Sequence, residues 1–148
     1  MGIIHVRMKF FKPNNIIVFF SITIFVGSLT QKCYCTTMSC NNSMMILFTG
    51  AIGFLYGGAA LTWLANPLLL ISWLTSNRNP KLSLVSSIFA MLLSASFLLF
   101  KKIISDEGGN YKQIISYQLG YWLWLASILT MVISNCIRYV RQHNEISK

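Results

Sequence analysis

The sequence predicts an all-α fold, a polytopic bundle of transmembrane helices, and three observations predict it. Hydrophobic residues make up 55% of the 148 and charged residues only 10%, against about a quarter charged in a soluble domain. Mean hydropathy is +0.60. The apolar residues also gather into four runs, Ile16–Leu29, Met44–Leu74, Leu82–Phe100 and Ile114–Ile137, none of which contains Asp, Glu, Lys, Arg or His. Uncharged runs of about 18 or more residues read as membrane-crossing helices. The last three runs meet that length and the first does not. The expectation is therefore one membrane domain over 1–148, with three firm spans plus an N-terminal signal-anchor or signal peptide.

The net charge is +9. The basic residues stand singly or in small groups between apolar runs, not along one face as groove binding needs, so nucleic acid is not an expected partner. Their distribution sets an orientation instead. With four spans, one side receives Arg7, Lys9, Lys12, Arg78, Lys81, Arg138, Arg141 and Lys148, and the other only Lys32, Lys101, Lys102 and Lys112. Basic residues accumulate in cytoplasmic loops, which puts both termini in the cytoplasm.

Residues 1–30 form the first element. A basic lead, MGIIHVRMKFFKPNN, precedes the 14 residues Ile16–Leu29, a length that suits a signal-peptide core as well as a short anchor. Either way the chain emerges outside at Gln31. Residues 31–43 follow as an external loop with Cys33, Cys35 and Cys40. Thiols outside the cytoplasm tend to pair. A Cys33–Cys35 bridge would close a very tight ring, so Cys40 is expected to pair with Cys33 or Cys35. A soft-metal site using these thiols with Met38, Met44 and Met45 is chemically conceivable, but no histidine or fourth cysteine accompanies them and no metal or cofactor is expected.

The transmembrane bundle is expected over 44–137. Met44–Leu74 is 31 residues, about 46 Å as a straight helix against a hydrocarbon core of about 30 Å. Within it, Pro67 cannot donate to the carbonyl of Trp63 and crowds that turn, while Asn66 is pushed off helical angles by the proline after it. Leu68–Leu74 is too short to recross. The segment is thus one crossing kinked at Asn66-Pro67, or a crossing plus a short interfacial helix. The kink sets helix packing; the competing reading is a ligand or ion site at a broken helix.

Gly50, Gly53, Gly57 and Ala60 fall at i, i+3, i+7 and i+10, one face of a helix. Ser86, Ala90 and Ser94 repeat the small-residue spacing on the third span, and Gly120, Ser127 and Ser134 recur every seven residues on the fourth. Small faces let helix backbones approach closely in lipid, so these stripes are expected seams, internal to the bundle or between copies. Trp63, Trp73, Tyr121, Trp122 and Trp124 suit interfacial belts. Residues 138–148 form a cytoplasmic tail.

Catalytic chemistry is not expected, and the chain is not read as an enzyme. Its acidic residues are Asp106 and Glu107, adjacent in the turn SDEGGNYK, and Glu145 across the membrane, so no acid–base pair assembles. His5 and His143 lie in the tails. A four-helix thiol oxidase would need Cys-x-x-Cys; this chain has Cys-x-Cys and no cysteine in 101–113.

The stretches LTWLANPLLL, SDEGGNY and GYWLWLAS resemble a group of small, uncharacterised bacterial inner-membrane proteins over roughly Met44 to Asn135. The resemblance implies a bacterial inner (cytoplasmic) membrane and a helical fold, and carries no activity. Expected partners are the lipid bilayer and other membrane proteins or a second copy. The expected role is a non-enzymatic accessory or interaction protein. The runner-up is a small oligomeric transporter or channel-like protein, and a third reading is an immunity-type protein against a membrane-active toxin.

Overall fold

The computed structural model describes residues 13–53, 55, 57–104 and 110–146. Arg7, Lys9, Lys12, Asp106, Glu107 and Lys148 lie outside them. Helix α1 (Pro13–Leu29) leads into a hairpin of β1 (Lys32–Thr36) and β2 (Cys40–Asn42), then helix α2 (Ser43–Gly53). A 3₁₀ segment, Gly58–Leu64, runs directly into α3 (Ala65–Thr75). Helix α4 (Pro80–Ser96) ends in a 3₁₀ turn, Phe97–Leu99; strands β3 (Lys102–Ile104) and β4 (Tyr111–Tyr117) follow, and α5 (Leu119–Ile146) closes the chain.

Three helices are long and apolar enough to cross a membrane: Gly58–Thr75, Pro80–Leu99 and Leu119–Gln142. The all-α expectation is corrected, because the two loops joining helices at one end of the bundle pair into a four-stranded antiparallel sheet of order β2-β1-β4-β3. The physical reason lies in alternation. Along Tyr111–Ile115 exposed and half-buried positions alternate, a period of two that suits a strand with one face on a core. The last apolar run was accordingly misjudged at its start: Ile114–Tyr117 belongs to β4, and the helix begins at Leu119.

Of the two expectations for Met44–Leu74, the one kinked crossing is corrected, and a crossing with a separate short helix is what the structure has. Helix α2 stops at Gly53, and the chain then turns through Gly57 and Gly58 at φ 73° and 60°, a left-handed region that glycine enters without steric cost. The crossing restarts at Gly58. Rising ~2.0 Å per residue through the 3₁₀ part and ~1.5 Å through α3, it reaches about 30 Å, enough for a hydrocarbon core. So the break lies near Gly57, not at Asn66-Pro67. Pro67 falls in the first turn of α3, but the 3₁₀ segment runs straight into that turn, so the missing N–H leaves the Trp63 carbonyl to find another donor.

The bundle is built inside out relative to a soluble protein. Buried on α4 are Ser83, Ser86, Ser87, Ala90 and Ser94, whereas Leu82, Val85, Phe89 and Leu92 are exposed. Ser21 and Ser127 lock α1 to α5 by reciprocal bonds: each hydroxyl donates to the other's carbonyl at 2.9 Å. Ser72 and Ser83 do the same between α3 and α4, at 3.0 and 2.8 Å. Asn135 of α5 closes the group. Its two Nδ2 protons are shared among Ser72 Oγ, Ser83 O and Ser87 Oγ, and its Oδ1, 3.1 Å from Ser83 Oγ, shares that hydroxyl's one proton with Ser72 O. Helix α4 starts cleanly because Asn79 accepts from the Leu82 N–H with Pro80 in the first turn, a strong N-terminal signature.

At the sheet end, Tyr34, Ala59, Phe97 and Tyr121 form a buried cluster, and Tyr121 Oη donates to Ser94 O at 3.0 Å. The Gln118 N–H donates to Cys33 O at 2.8 Å, which ties the start of α5 to β1. Gly120 is buried here, and a Cβ on it would lie 2.2 Å from Ser43 Oγ and 2.6 Å from Lys32 O. Backbone cannot yield as a flexible side-chain tip can. Gly120→Ala should therefore cost about 1–3 kcal/mol as an overpacking change, read as a lowered melting temperature in detergent. Gly27→Ala, which meets nothing within 4 Å, should not lower it.

Candidate ligand cavity

A cavity of about 1030 Å³ opens where α2, the 3₁₀ segment, the end of α4, the start of α5 and the sheet converge. Its origin is legible in residue size. Gly50, Gly53, Gly57 and Ala60, expected to form a tight helix seam, all line it. They do not share one helix face, since α2 ends at Gly53 and Gly57 is in the turn. Of the glycines, only Gly50 is in close contact: a Cβ there would sit 2.2 Å from Trp63 Cδ1, while Gly53 and Gly57 have nothing within 4 Å of theirs. The other small-residue positions do pack inside the chain: Ser86, Ala90, Ser94, Ser127 and Ser134 are buried.

Three polar groups shape the walls. Trp63 Nε1 donates to Leu47 O at 2.7 Å, so its ring clamps α2 against the crossing through the gap that Gly50 leaves. Asn66 Nδ2 donates to Trp63 O at 3.0 Å; this is the carbonyl that the N–H of residue 67 would serve if it were not proline. Asn66 Oδ1 in turn accepts from Trp124 Nε1 of α5 at 2.9 Å. The side chain thus repairs the proline's damage and joins two helices while bordering the cavity. The sheet end of the wall carries Lys101, Lys102 and Lys112.

The expected aromatic belt is corrected in the same way. Trp63, Trp73 and Trp124 direct their ring N–H groups to Leu47 O, Ser21 Oγ and Asn66 Oδ1 inside the protein, and Tyr121 is fully buried. Trp122 is half exposed and remains placed for an interface.

The structure pairs Cys35 with Cys40 across the β1–β2 hairpin and leaves Cys33 a thiol lining the cavity. Burial pushes Cys33 up to about 12, with the neighbouring Ser43 hydroxyl pulling weakly the other way. Ser43 Oγ is buried and makes no ordinary hydrogen bond among the described residues. Burial first, and the nearby Cys33 second, raise Tyr34 to about 12 as well. No His, Asp or Glu is among the described lining residues, and among the described residues no three His, Cys, Asp or Glu gather as metal ligands would. A protonated thiol without a base can pack and contact a ligand, and little more.

Sequence reasoning missed Asn135, Ser21, Ser72, Ser83 and the lysine rim. Asn135 had a signal: it lies at i+7 from Ile128 and i+4 from Met131, both fully buried. The partners of Ser21 and Ser72 had none, because nothing local says which helix faces which. No known protein family matches the chain, and no curated protein and no solved structure matches it.

Removing Asn135 strips four bonds from three helices, whereas removing Asn66 strips two. At about 0.6 kcal/mol per intramembrane bond, Asn135→Ala should destabilise by about 2 kcal/mol and Asn66→Ala by about 1. Melting in detergent checks the order, and unchanged melting for Asn135→Ala would refute the network. For Cys33, a pKa of about 12 leaves roughly one thiol in ten thousand ionised at pH 8. In a Cys136→Ser protein, which removes the exposed second thiol, labelling of Cys33 by a maleimide should be slow at pH 8 and rise about tenfold per pH unit as the thiolate population grows.

Proposed function

We propose that the chain is a non-enzymatic accessory protein of a bacterial cytoplasmic membrane, which it crosses four times with both termini inside and the sheet outside. The observation that carries this reading is how the polar groups of the helices are used. The Ser21–Ser127, Ser72–Ser83–Asn135 and Asn66–Trp124 bonds join helix to helix, which is a device for holding a bundle together. Among the described residues the spans carry no Asp, Glu or His of the kind that proton relays use, and their charges, Lys81, Arg138 and Arg141, stand near their ends; the cavity open to a ligand or partner is at the sheet end. The placement of the basic residues supports the orientation, as does the Cys35–Cys40 bridge, which fits an oxidising compartment.

Retention of α1 as a signal-anchor is part of the proposal. It is supported by the reciprocal bonds of Ser21 with Ser127, by Trp73 Nε1 donating to Ser21 Oγ, and by the Phe25–Trp73 ring contact. Cleavage would strip α5 and α3 of those partners.

Two measurements test the reading. After gentle reduction, a membrane-impermeant thiol reagent should label Cys35 and Cys40 in intact cells, on a chain that keeps an N-terminal tag; labelling only after lysis, or loss of the tag, would overturn the topology. Crosslinking in mild detergent should then capture a reproducible membrane-protein partner. A lone homo-oligomer that passes solute across vesicles would replace the accessory role with the transporter reading, and protection of cells against a membrane-active toxin would replace it with immunity.

A further inference from the structure

We propose that the cavity beneath the sheet is a binding site for one anionic phospholipid, its acyl chain under α2 and its phosphate at Lys101, Lys102 and Lys112. The proposal rests on the membrane placement given above. Three independent features point to this ligand.

The first is a gradient of chemistry along one space. The lower wall is apolar, made by α2, Trp63 and the glycine positions, and the sheet end is basic. Away from the cavity α2 exposes Met44 and Phe48, so this short helix is apolar on both sides, as a strip lying in lipid would be. Residues 101–117 carry three lysines, Lys101, Lys102 and Lys112, against two carboxylates, Asp106 and Glu107, which leaves one positive charge in excess for a phosphate.

The second is the way the space is kept open. A volume of about 1030 Å³ is at the upper end of ligand pockets, roughly 300–1,000 Å³. It persists because Gly53 offers no side chain where a Cβ would meet nothing within 4 Å, while Trp63 is clamped away from it by Leu47 O.

The third is an unused polar group. Ser43 Oγ is buried, lacks a hydrogen-bond partner among the described residues and lines this cavity. Such an orphan is costly unless something bonds it, and a glycerol or ester oxygen would.

Among possible occupants, a lipid fits both ends. A free phosphate has no use for the apolar wall, and a peptide segment placed along it would leave backbone groups unpaired in an apolar setting. An acyl chain has no polar groups to satisfy.

The test uses the full chain purified in a mild non-ionic detergent, with native mass spectrometry and melting curves read in parallel. Phosphatidylglycerol should be retained one per chain and should raise the melting temperature more than phosphatidylcholine of the same acyl chains, and glycerol phosphate should do neither. Gly53→Leu should obstruct the apolar end of the space, keep the lipid-free melting temperature and cut phosphatidylglycerol retention at least tenfold. A Lys101→Gln, Lys102→Gln, Lys112→Gln triple variant should abolish the preference for phosphatidylglycerol over phosphatidylcholine. Equal retention of both lipids by the unaltered chain, the same shift from glycerol phosphate alone, or full preference in the triple variant would each overturn the proposal. If Gly53→Leu does not fold, the triple variant decides. Carbonate extraction of cell membranes is read separately: a chain released by carbonate would refute the membrane placement itself, whereas a retained chain with no lipid preference would refute only the lipid site.

Discussion

A hydroxyl or amide surrounded by hydrocarbon has no water to bond, and this constraint organises the molecule. Each buried serine of the bundle must find a carbonyl or another side chain. Where two helices each present one, a reciprocal pair forms and fixes their register. Ser21–Ser127 and Ser72–Ser83 are such pairs, and Asn135 extends the second into a junction of α3, α4 and α5. Packing follows from the same residues. Serine and alanine are small, so the backbones that carry the bonds also approach closely, and Ala65, Leu69, Ala90, Ile128 and Met131 fill the space between them. Large apolar side chains are displaced outward, where Phe19, Phe48 and Leu99 are mostly exposed.

The two ends of the bundle are held by different physics. Away from the sheet, hydrogen bonds among short side chains dominate, reinforced by Asn77 Nδ2 donating to Asn15 Oδ1 and by the Arg138 guanidinium donating to Ser76 O. At the sheet end the contacts are aromatic. Phe97 packs on Tyr34, Tyr117 and Tyr121 at ring separations of 5.6 to 5.7 Å, and Tyr117 Oη shares its proton between the carbonyls of Phe97, which also accepts from the Phe100 N–H, and Phe100. Rings of that size cannot close as tightly as serines do. The cavity lies at this end, lined by the glycines of α2 and of the turn after it.

Asn66 shows how one residue can serve both ends. Its amide answers a local defect, the missing N–H of Pro67, and a distant one, the indole of Trp124. A kink at this pair would have been a plausible site for function on its own. With both ends of its amide engaged, Asn66 is instead a wall of the space that Gly53 leaves open, and ligand recognition falls to groups with spare bonding capacity, Ser43 and the lysines.

The sequence by itself determined that the chain has apolar helices of membrane-crossing length, because uncharged runs need no partner to be recognised; it also determined that the segment Met44–Leu74 must break, because 31 residues exceed one crossing. It marked the residues of the α4 and α5 seams by their size, and it narrowed the disulfide to Cys40 with one of two partners. Only the tertiary structure decided the rest. Asn66-Pro67 looked like the break because proline is the stronger local signal, but the Asn66 amide bonds the carbonyl that Pro67 leaves without a donor, and the chain turns instead at Gly57 and Gly58. The sheet was hidden because β1 and β4 are distant in sequence, and neither strand alone shows a partner. Gly53 and Gly57 were read as contact surfaces because spacing reports which residues are small and not what stands opposite them. Whether a small residue makes a seam or a cavity depends on the neighbour that fills or leaves its space, and that neighbour is chosen by the fold.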